Sequence, residues 1–261
     1  MKPQRHILTK STYIRGLQCP KSLYLHKKRP FLRDPLPPSQ QARFARGTEV
    51  GLLAQNIFPG GIDLKPKTPF QYPQALSNTA GAMDDSSVKV IYEASFQYEG
   101  VLVVTDILTR DGNGWVAYEV KSSAEISETF REDIALQYFV LSNSGVKLID
   151  FRILYLNKDY KGRPHLELKE LFLDESLMED ALSRQDKVQK KVMELTAVTR
   201  LSSSPKIATG THCLRPYPCD FIGHCWKGKP PRTSFPGDAP VDTDLLQQTF
   251  QAHQPGMAYL E

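Results

Sequence analysis

The sequence predicts an α/β fold, a mixed sheet with helices packed on it. Three observations predict it. Helical patterns dominate the first third of the chain. Three consecutive central segments are rich in Val, Ile, Tyr and Phe. After them helix and strand patterns alternate.

Taken in order, residues 9–28 read as a first helix, with Thr9 or Ser11 as its N-cap. Pro30, Pro35, Pro37 and Pro38 break the chain. Ser39 can then cap a second helix over about 40–58, which Pro59-Gly60-Gly61 ends. A Pro-rich loop (62–73) leads to a short helix near 73–84. The strands follow: VKVIYEASFQY (88–98), VLVVTDIL (101–108) and WVAYEVK (115–121), parted by turn signals at Gly100 and across Arg110–Gly114. A helix over 129–142, strands at 151–157 and 165–173, and an amphipathic helix over 174–198 complete the pattern. That last helix carries Leu177, Ala181, Val188, Val192 and Leu195 on one stripe. Residues 228–261 are polar, contain Pro and read as a poorly ordered tail, with a short helix over 243–252; no internal repeat is present. The implied organisation is a basic N-terminal segment (1–38), a core (39–200), a cysteine-bearing segment (201–227) and the tail (228–261).

A chain of 261 residues, 40% hydrophobic and 24% charged, can bury one large core or a core plus a small lobe. No stretch approaches the ~20 apolar residues that a membrane span needs. The N-terminal residues lack an apolar run of signal-peptide length. The expectation is a cytoplasmic protein with no membrane partner. The net charge of +4 is unevenly spread. Residues 1–33 hold Lys2, Arg5, Lys10, Arg15, Lys21, Lys27, Lys28, Arg29 and Arg33, and no Asp or Glu. Such a field favours a polyanion, nucleic acid above all, with a solvated arm or an anionic membrane surface as the alternatives.

The central strands carry the chemistry. A strand alternates its side chains, so Glu119 and Lys121 project together, and Asp106 interrupts an otherwise apolar strand where an unpartnered charge is costly. The turn decides how the two strands match. A four-residue loop over 111–114 centres the pairing between Gly112 and Asn113 and sets Asp106 opposite Glu119. A two-residue Asp-Gly or Asn-Gly turn sets Asp106 opposite Ala117 or Lys121 instead. Every even-length loop keeps Asp106, Glu119 and Lys121 on one face. Two facing carboxylates can share a divalent cation, and a neighbouring lysine can hold a water. Those are the components of phosphodiester hydrolysis. The competing reading is an exposed Glu–Lys pair on a sheet face.

VTDILTRDGNGWVAYEVKSS, followed by a helix containing DIALQYFVL, resembles the central motifs of the RecB-like branch of the PD-(D/E)xK nucleases. The resemblance implies a restriction-endonuclease-like fold. It implies Mg²⁺ or Mn²⁺ on Asp106, Glu119 and the Val120 carbonyl, with Lys121 orienting water and Gln137 as a further site residue. Tyr138 stands next to Gln137, where the family often places a tyrosine four residues on; here position 141 is Leu. The family often has G-x-x-x-H on the second helix, whereas this chain reads Gly47-Thr48-Glu49-Val50-Gly51. Glu49 lies about 200° around the helix from Gly51. Gln55, one turn on, and Glu93 are the other candidates.

The four cysteines are Cys19, Cys213, Cys219 and Cys225. The last three are spaced C-x₅-C-x₅-C, unlike the C-x₂-C pairs of zinc ribbons, and a cubane iron–sulfur cluster tolerates the wider spacing. One Cys before the core and three after it, together with GLQCPKSLYL (16–25), resemble the iron–sulfur RecB-like nucleases, among them AddB-type nuclease subunits and CRISPR-associated exonucleases. The resemblance implies a [4Fe-4S] cluster joining the N- and C-terminal segments. It also implies action on DNA with single-stranded or free ends, and protein partners in a repair or defence complex. His212 and His224 leave a zinc site open, and four free or disulfide-bonded cysteines are a third state. Tyr13, Tyr24 and Phe31 could stack bases or pack in the core. The alternatives to a nuclease are an inactive nuclease-fold module that binds nucleic acid and a zinc-binding regulator.

Overall fold

The computed structural model describes residues 6–161 and 168–228. The expected tail helix over 243–252 and the start of the 165–173 strand lie outside the described residues. The elements are, in order, β1 (Leu8–Thr9), α1 (Lys10–Gln18), α2 (Pro20–Lys28), α3 (Pro38–Gln55), β2 (Ile62–Asp63), α4 (Tyr72–Asp84), β3 (Val90–Tyr98), β4 (Val101–Asp111), β5 (Gly114–Lys121) and α5 (Glu128–Asn143). They are followed by β6 (Leu148–Leu156), α6 (Leu168–Leu171), β7 (Phe172–Ser176), α7 (Met178–Ser183), α8 (Gln185–Arg200) and α9 (Ile222–Cys225). The chain divides into two compact units. Among the described residues, one comprises 6–14, 43–161 and 168–193, the other 15–42 and 194–228.

The first unit is an α/β structure built on a mixed seven-stranded sheet flanked by helices. Its strand order is β2-β3-β4-β5-β6-β7, with β1 added beside β4. β3–β4, β4–β5 and β6–β7 pair antiparallel, whereas β2–β3, β5–β6 and β1–β4 pair parallel. The parallel β5–β6 step requires a crossover, which α5 supplies. Ser127 caps α5 by accepting from the Phe130 N–H. Val50 and Ala54 of α3 pack on Tyr92, Ile107, Leu154 and Phe172. Ile134, Leu136 and Leu141 of α5 are fully buried, and α5 packs against β3, β4 and β6. Each such side chain removed from water is worth about 1.5–3 kcal/mol, which makes these contacts the main support of the sheet.

The second unit holds the cysteines. The expected single helix over 9–28 is interrupted, because Pro20 lacks an N–H and Cys19 is extended (φ −160°, ψ 110°), so α1 ends and α2 restarts there. The expected helix over 174–198 is likewise divided. Residues to Ser176 pair with β6 as β7, and Arg184 separates α7 from α8. The stripe expected on it is nevertheless buried throughout, at Leu177, Ala181, Val188, Val192 and Leu195. In the second unit Leu195 meets Gly16, where an added Cβ would lie 2.7 Å from Leu195 Cδ1 and 3.1 Å from Leu23 Cδ2. Of the expected 165–173 strand, residues 168–171 are helical (α6) and only Phe172 and Leu173 enter β7.

Candidate functional site

The site forms where the sheet's central hairpin parts. The β4–β5 ladder runs from Asp111↔Gly114 to Ile107↔Tyr118 and goes no further. The turn is the two residues Gly112 and Asn113, none of the three loops expected from the sequence, but it shares its centre with the four-residue one. Gly112 has φ +54°, as the first central position of a primed hairpin turn requires. One step beyond Ile107↔Tyr118 the same register brings Asp106 opposite Glu119. On the other side, β3 pairs Tyr92↔Ile107 and Ala94↔Thr105, which leaves Glu93 opposite Asp106. Glu93 has φ +55°, the left-handed region that a non-glycine residue enters only at a cost.

Glu119 is the hub. Its carboxylate accepts from Lys10 Nζ (2.8 Å to each oxygen), from Lys121 Nζ and from Gln137 Nε2 (2.7 Å). Lys121 also reaches Asp133 Oδ2 at 2.8 Å, and Lys10 lies 3.7 Å from it. Gln137, fully buried, accepts from the Thr105 hydroxyl and also donates to Asp133 Oδ1 at 3.3 Å. Asp106 accepts from the Val120 N–H at 2.7 Å, so Val120 enters the site through its amide. The structure thus brings Asp106, Glu119, Lys121 and Gln137 together. It adds two residues that sequence reasoning missed, Lys10 and Asp133. Lys10 was counted only as part of a basic segment. Asp133 had one legible signal, its place four residues before Gln137 and so on the same helix face.

Electrostatics follow from this count. Three carboxylates (Asp106, Glu119, Asp133) face two ammoniums (Lys10, Lys121), one negative charge in excess. Burial pushes Glu119 up, but Lys10 and Lys121 outweigh it and hold the group well below the usual carboxylate range. The excess falls on the others. Burial, then the charge of Glu119, pushes Asp106 up to about 7, and the same two causes raise Asp133. Burial alone would lower both lysines; the surrounding carboxylates raise them instead.

Asp106, Glu119 and Val120 line an open cavity of about 400 Å³, together with Glu93, Lys65 and, from α3, Arg43, Phe44, Gly47, Thr48, Gly51, Leu52 and Gln55. Gln55 and Gly51 therefore face the carboxylates, whereas Glu49 is exposed and outside the lining. Glu93 pairs with Lys65 at 3.2 Å. Tyr138 is absent from the lining and from the partners of Glu119.

In the second unit Cys19, Cys213, Cys219 and Cys225 all line one small cavity of about 20 Å³, with Ser22, His212 and Phe221. The surrounding chain is held by Gln18 Nε2, which donates to the carbonyls of His212 and Tyr217 at 2.7 Å each, and by Cys219 N–H, which donates to the Cys213 carbonyl at 2.8 Å. Asp220 is paired with Arg15 (2.6 Å) and Arg33 (2.9 Å). No disulfide joins the cysteines. Among the described residues no three His, Cys, Asp or Glu side chains are arranged to hold a metal ion as they stand. The four thiols share a cavity without standing at ligand spacing. Burial pushes the Cys219 thiol up to about 11 and raises those of Cys19 and Cys225. His212 lines the cavity, 3.6 Å from Cys213 Sγ, and His224 does not.

The expected base-stacking aromatics divide. Tyr13 is fully buried and Tyr24 nearly so, whereas Phe31 is exposed. Part of the basic segment is consumed internally, because Lys10, Arg15 and Arg33 are ion-paired. No described helix is long and apolar enough to cross a membrane.

No family model matches the chain, and no curated protein matches it. Among solved structures it is similar to the crystal structure of SSO0001, at 10% identity and a TM-score of 0.32, over 79% of this chain and 82% of that one.

Proposed function

We propose that this chain is a divalent-metal-dependent DNA nuclease of the PD-(D/E)xK type, with a restriction-endonuclease-like core, that hydrolyses phosphodiester bonds at single-stranded ends. The observation that carries the reading is the meeting of Asp106 and Glu119 at the parting of β4 and β5, on the floor of an open cavity, with Lys121 bonded to Glu119. The donor set suits a Mg²⁺ or Mn²⁺ ion, because burial and then the neighbouring Glu119 charge push Asp106 upward, and a cation would relieve both. Asp106, Glu119 and the Val120 carbonyl would hold the ion. When bound, it supplies charge to the developing oxyanion and acidifies a water. The chain's own groups do the rest. Gln137 orients the Glu119 carboxylate, Lys10 would have to yield to the cation, and Asp133 anchors the Lys121 ammonium, which would hold a water.

A structural [4Fe-4S] cluster on Cys19, Cys213, Cys219 and Cys225 belongs to the same reading, supported by their lining one cavity; the thiols would have to close in to reach ligand spacing. Two buried thiols (Cys19 and Cys213) and two half-buried ones (Cys219 and Cys225), one from residues 15–42 and three from 194 onward, would close the second unit, and ligation would deprotonate Cys19, Cys219 and Cys225 against the burial that raises them. A cytoplasmic setting would keep them reduced, and partners in repair, recombination or defence fit this activity.

The test is cleavage of labelled single-stranded DNA with Mn²⁺, alongside iron and acid-labile sulfide content of anaerobically purified protein. Asp106→Asn and Lys121→Ala should each abolish cleavage; unchanged cleavage in both would remove the assigned site. Zinc without iron in anaerobic protein would remove the cluster. A second reading, a catalytically inactive module that grips nucleic acid, is favoured by one observation: lysine ammoniums already satisfy both oxygens of Glu119. Wild-type protein that binds DNA and cleaves none with either cation would establish it.

A further inference from the structure

We infer that the α3 wall of the carboxylate cavity is a binding surface for an unpaired DNA strand, with Phe44 stacking on a base and Arg43 pairing with a phosphate. The inference rests on the nuclease reading only in naming the strand that the carboxylate floor would act on.

Phe44 is 54% exposed and lines the cavity. A single exposed aromatic is ordinary on a surface, but the residue before this one, Arg43, lines the same cavity. Arg43 has no ion pair or hydrogen bond among the described residues, whereas Lys65, the other cation of the lining, is committed to Glu93. An uncommitted cation and an open ring lining one cavity are the groups that single-stranded nucleic acid uses, because every base has a π-face and every linkage a phosphate.

The glycines add an independent argument. Gly47 and Gly51 stand one turn apart on α3, and both line the cavity. A Cβ at either would meet nothing within 4 Å, so no steric contact demands glycine, and neither has positive φ. Glycine inside a helix is less favourable than alanine. The bare backbone leaves a clear path between α3 and the floor of Asp106 and Glu119. Stacking on Phe44 needs a base that is not paired, which selects a single strand over a duplex.

The experiment is fluorescence anisotropy on the full chain in EDTA, with a short labelled oligothymidylate, the same oligomer carrying abasic sites, a blunt duplex and an oligouridylate. The oligothymidylate should bind more tightly than the duplex. Phe44→Ala should weaken it roughly 5- to 100-fold, and Phe44→Trp should retain it. On the abasic oligomer wild type and Phe44→Ala should bind alike. Gly47→Leu should obstruct binding with no loss of thermal stability. Equal oligothymidylate binding by wild type and Phe44→Ala, duplex binding as tight as single strand, or a Phe44→Ala loss that persists on abasic sites overturns the wall. Tighter oligouridylate binding overturns its assignment to DNA. Cleavage separates the two claims: wild-type protein that binds the oligothymidylate through Phe44 but cleaves none with Mn²⁺ sinks the nuclease reading while the wall stands, and cleavage lost in Asp106→Asn beside unaltered Phe44→Ala binding sinks the wall alone.

Discussion

Lys10 Nζ lies 2.8 Å from both oxygens of Glu119, a residue 109 positions further along the chain. The β1–β4 pairing, Leu8↔Val101 and Thr9↔Leu102, delivers the lysine there. An ammonium set across a carboxylate occupies the place a cation would take. Lys10→Met should therefore have two effects. It should lower stability by about 2 kcal/mol, a hydrogen-bonded charge lost from a buried partner, or roughly 4–8 °C in Tm. The rise in Tm on adding Mn²⁺ should be larger than in wild type, because Glu119 has one competitor fewer. Thermal melts with and without Mn²⁺ decide it, and an equal rise in both proteins counts against competition.

Gln137 provides a test of the network's polarity. Its amide donates to Glu119 and Asp133 and accepts from Thr105. Gln137→Leu removes the donor. Gln137→Glu also adds a carboxylate to a site already one negative charge in excess. Urea unfolding at neutral pH should show both destabilised, the glutamate by several kcal/mol and more than the leucine. Equal losses would mean that charge balance does not govern this site.

Asp106 sets a pH dependence. Its folded pKa, about 7, stands above the ordinary carboxylate value of 3.8. Between those values the unfolded state holds fewer protons than the folded one, so metal-free stability falls as pH rises from about 4 to 7. Asp133 is shifted in the same direction. Glu119, shifted the opposite way, contributes stability that is lost only below this window. Asp106→Asn should flatten the decline between pH 5 and 7 in EDTA, read by chemical denaturation. An unchanged slope would place the titration elsewhere.

Two helical glycines should answer alanine with opposite signs. At Gly51 the Cβ enters open space, and Gly51→Ala should stabilise by about 0.5–1 kcal/mol. At Gly16 it meets Leu195 and Leu23, and overpacking should outweigh the helix gain, for a net loss of about 1 kcal/mol. Combining Gly16→Ala with Leu195→Ala should give a loss smaller than the sum of the two singles. Additive losses would show that the contact is not the cause.

The cysteine cavity predicts a cooperative loss. If the four thiols ligate one cluster, Cys19→Ala and Cys219→Ala should each remove most of the iron, although they are 200 residues apart in sequence. Both should lower Tm by more than the same substitution at a solitary buried cysteine. Iron retained in either variant would exclude that residue as a ligand.

The local pattern was legible from residue types alone. β-Branched and aromatic runs marked β3, β4 and β5. The parity of any even-length turn was enough to keep Asp106, Glu119 and Lys121 on one face, and the turn's actual length left its centre unchanged. The stripe from Leu177 to Leu195 was legible as a buried face, although its chain turned out to be a strand end and two helices. Side-chain period records burial, whereas the breaks at Cys19–Pro20 and Arg184 depend on local backbone geometry and on pairing with β6.

Tertiary structure decided the electrostatic content of the site. No spacing rule links Lys10 to Glu119 or assigns Asp133 to Lys121, because these pairs exist only after β1 joins β4 and α5 crosses from β5 to β6. It also decided which aromatics are exposed, burying Tyr13 and Tyr24 and leaving Phe44 at the cavity. Period along a chain reports which way a side chain points, but the partner it meets is set by segments that are remote in sequence and adjacent in space.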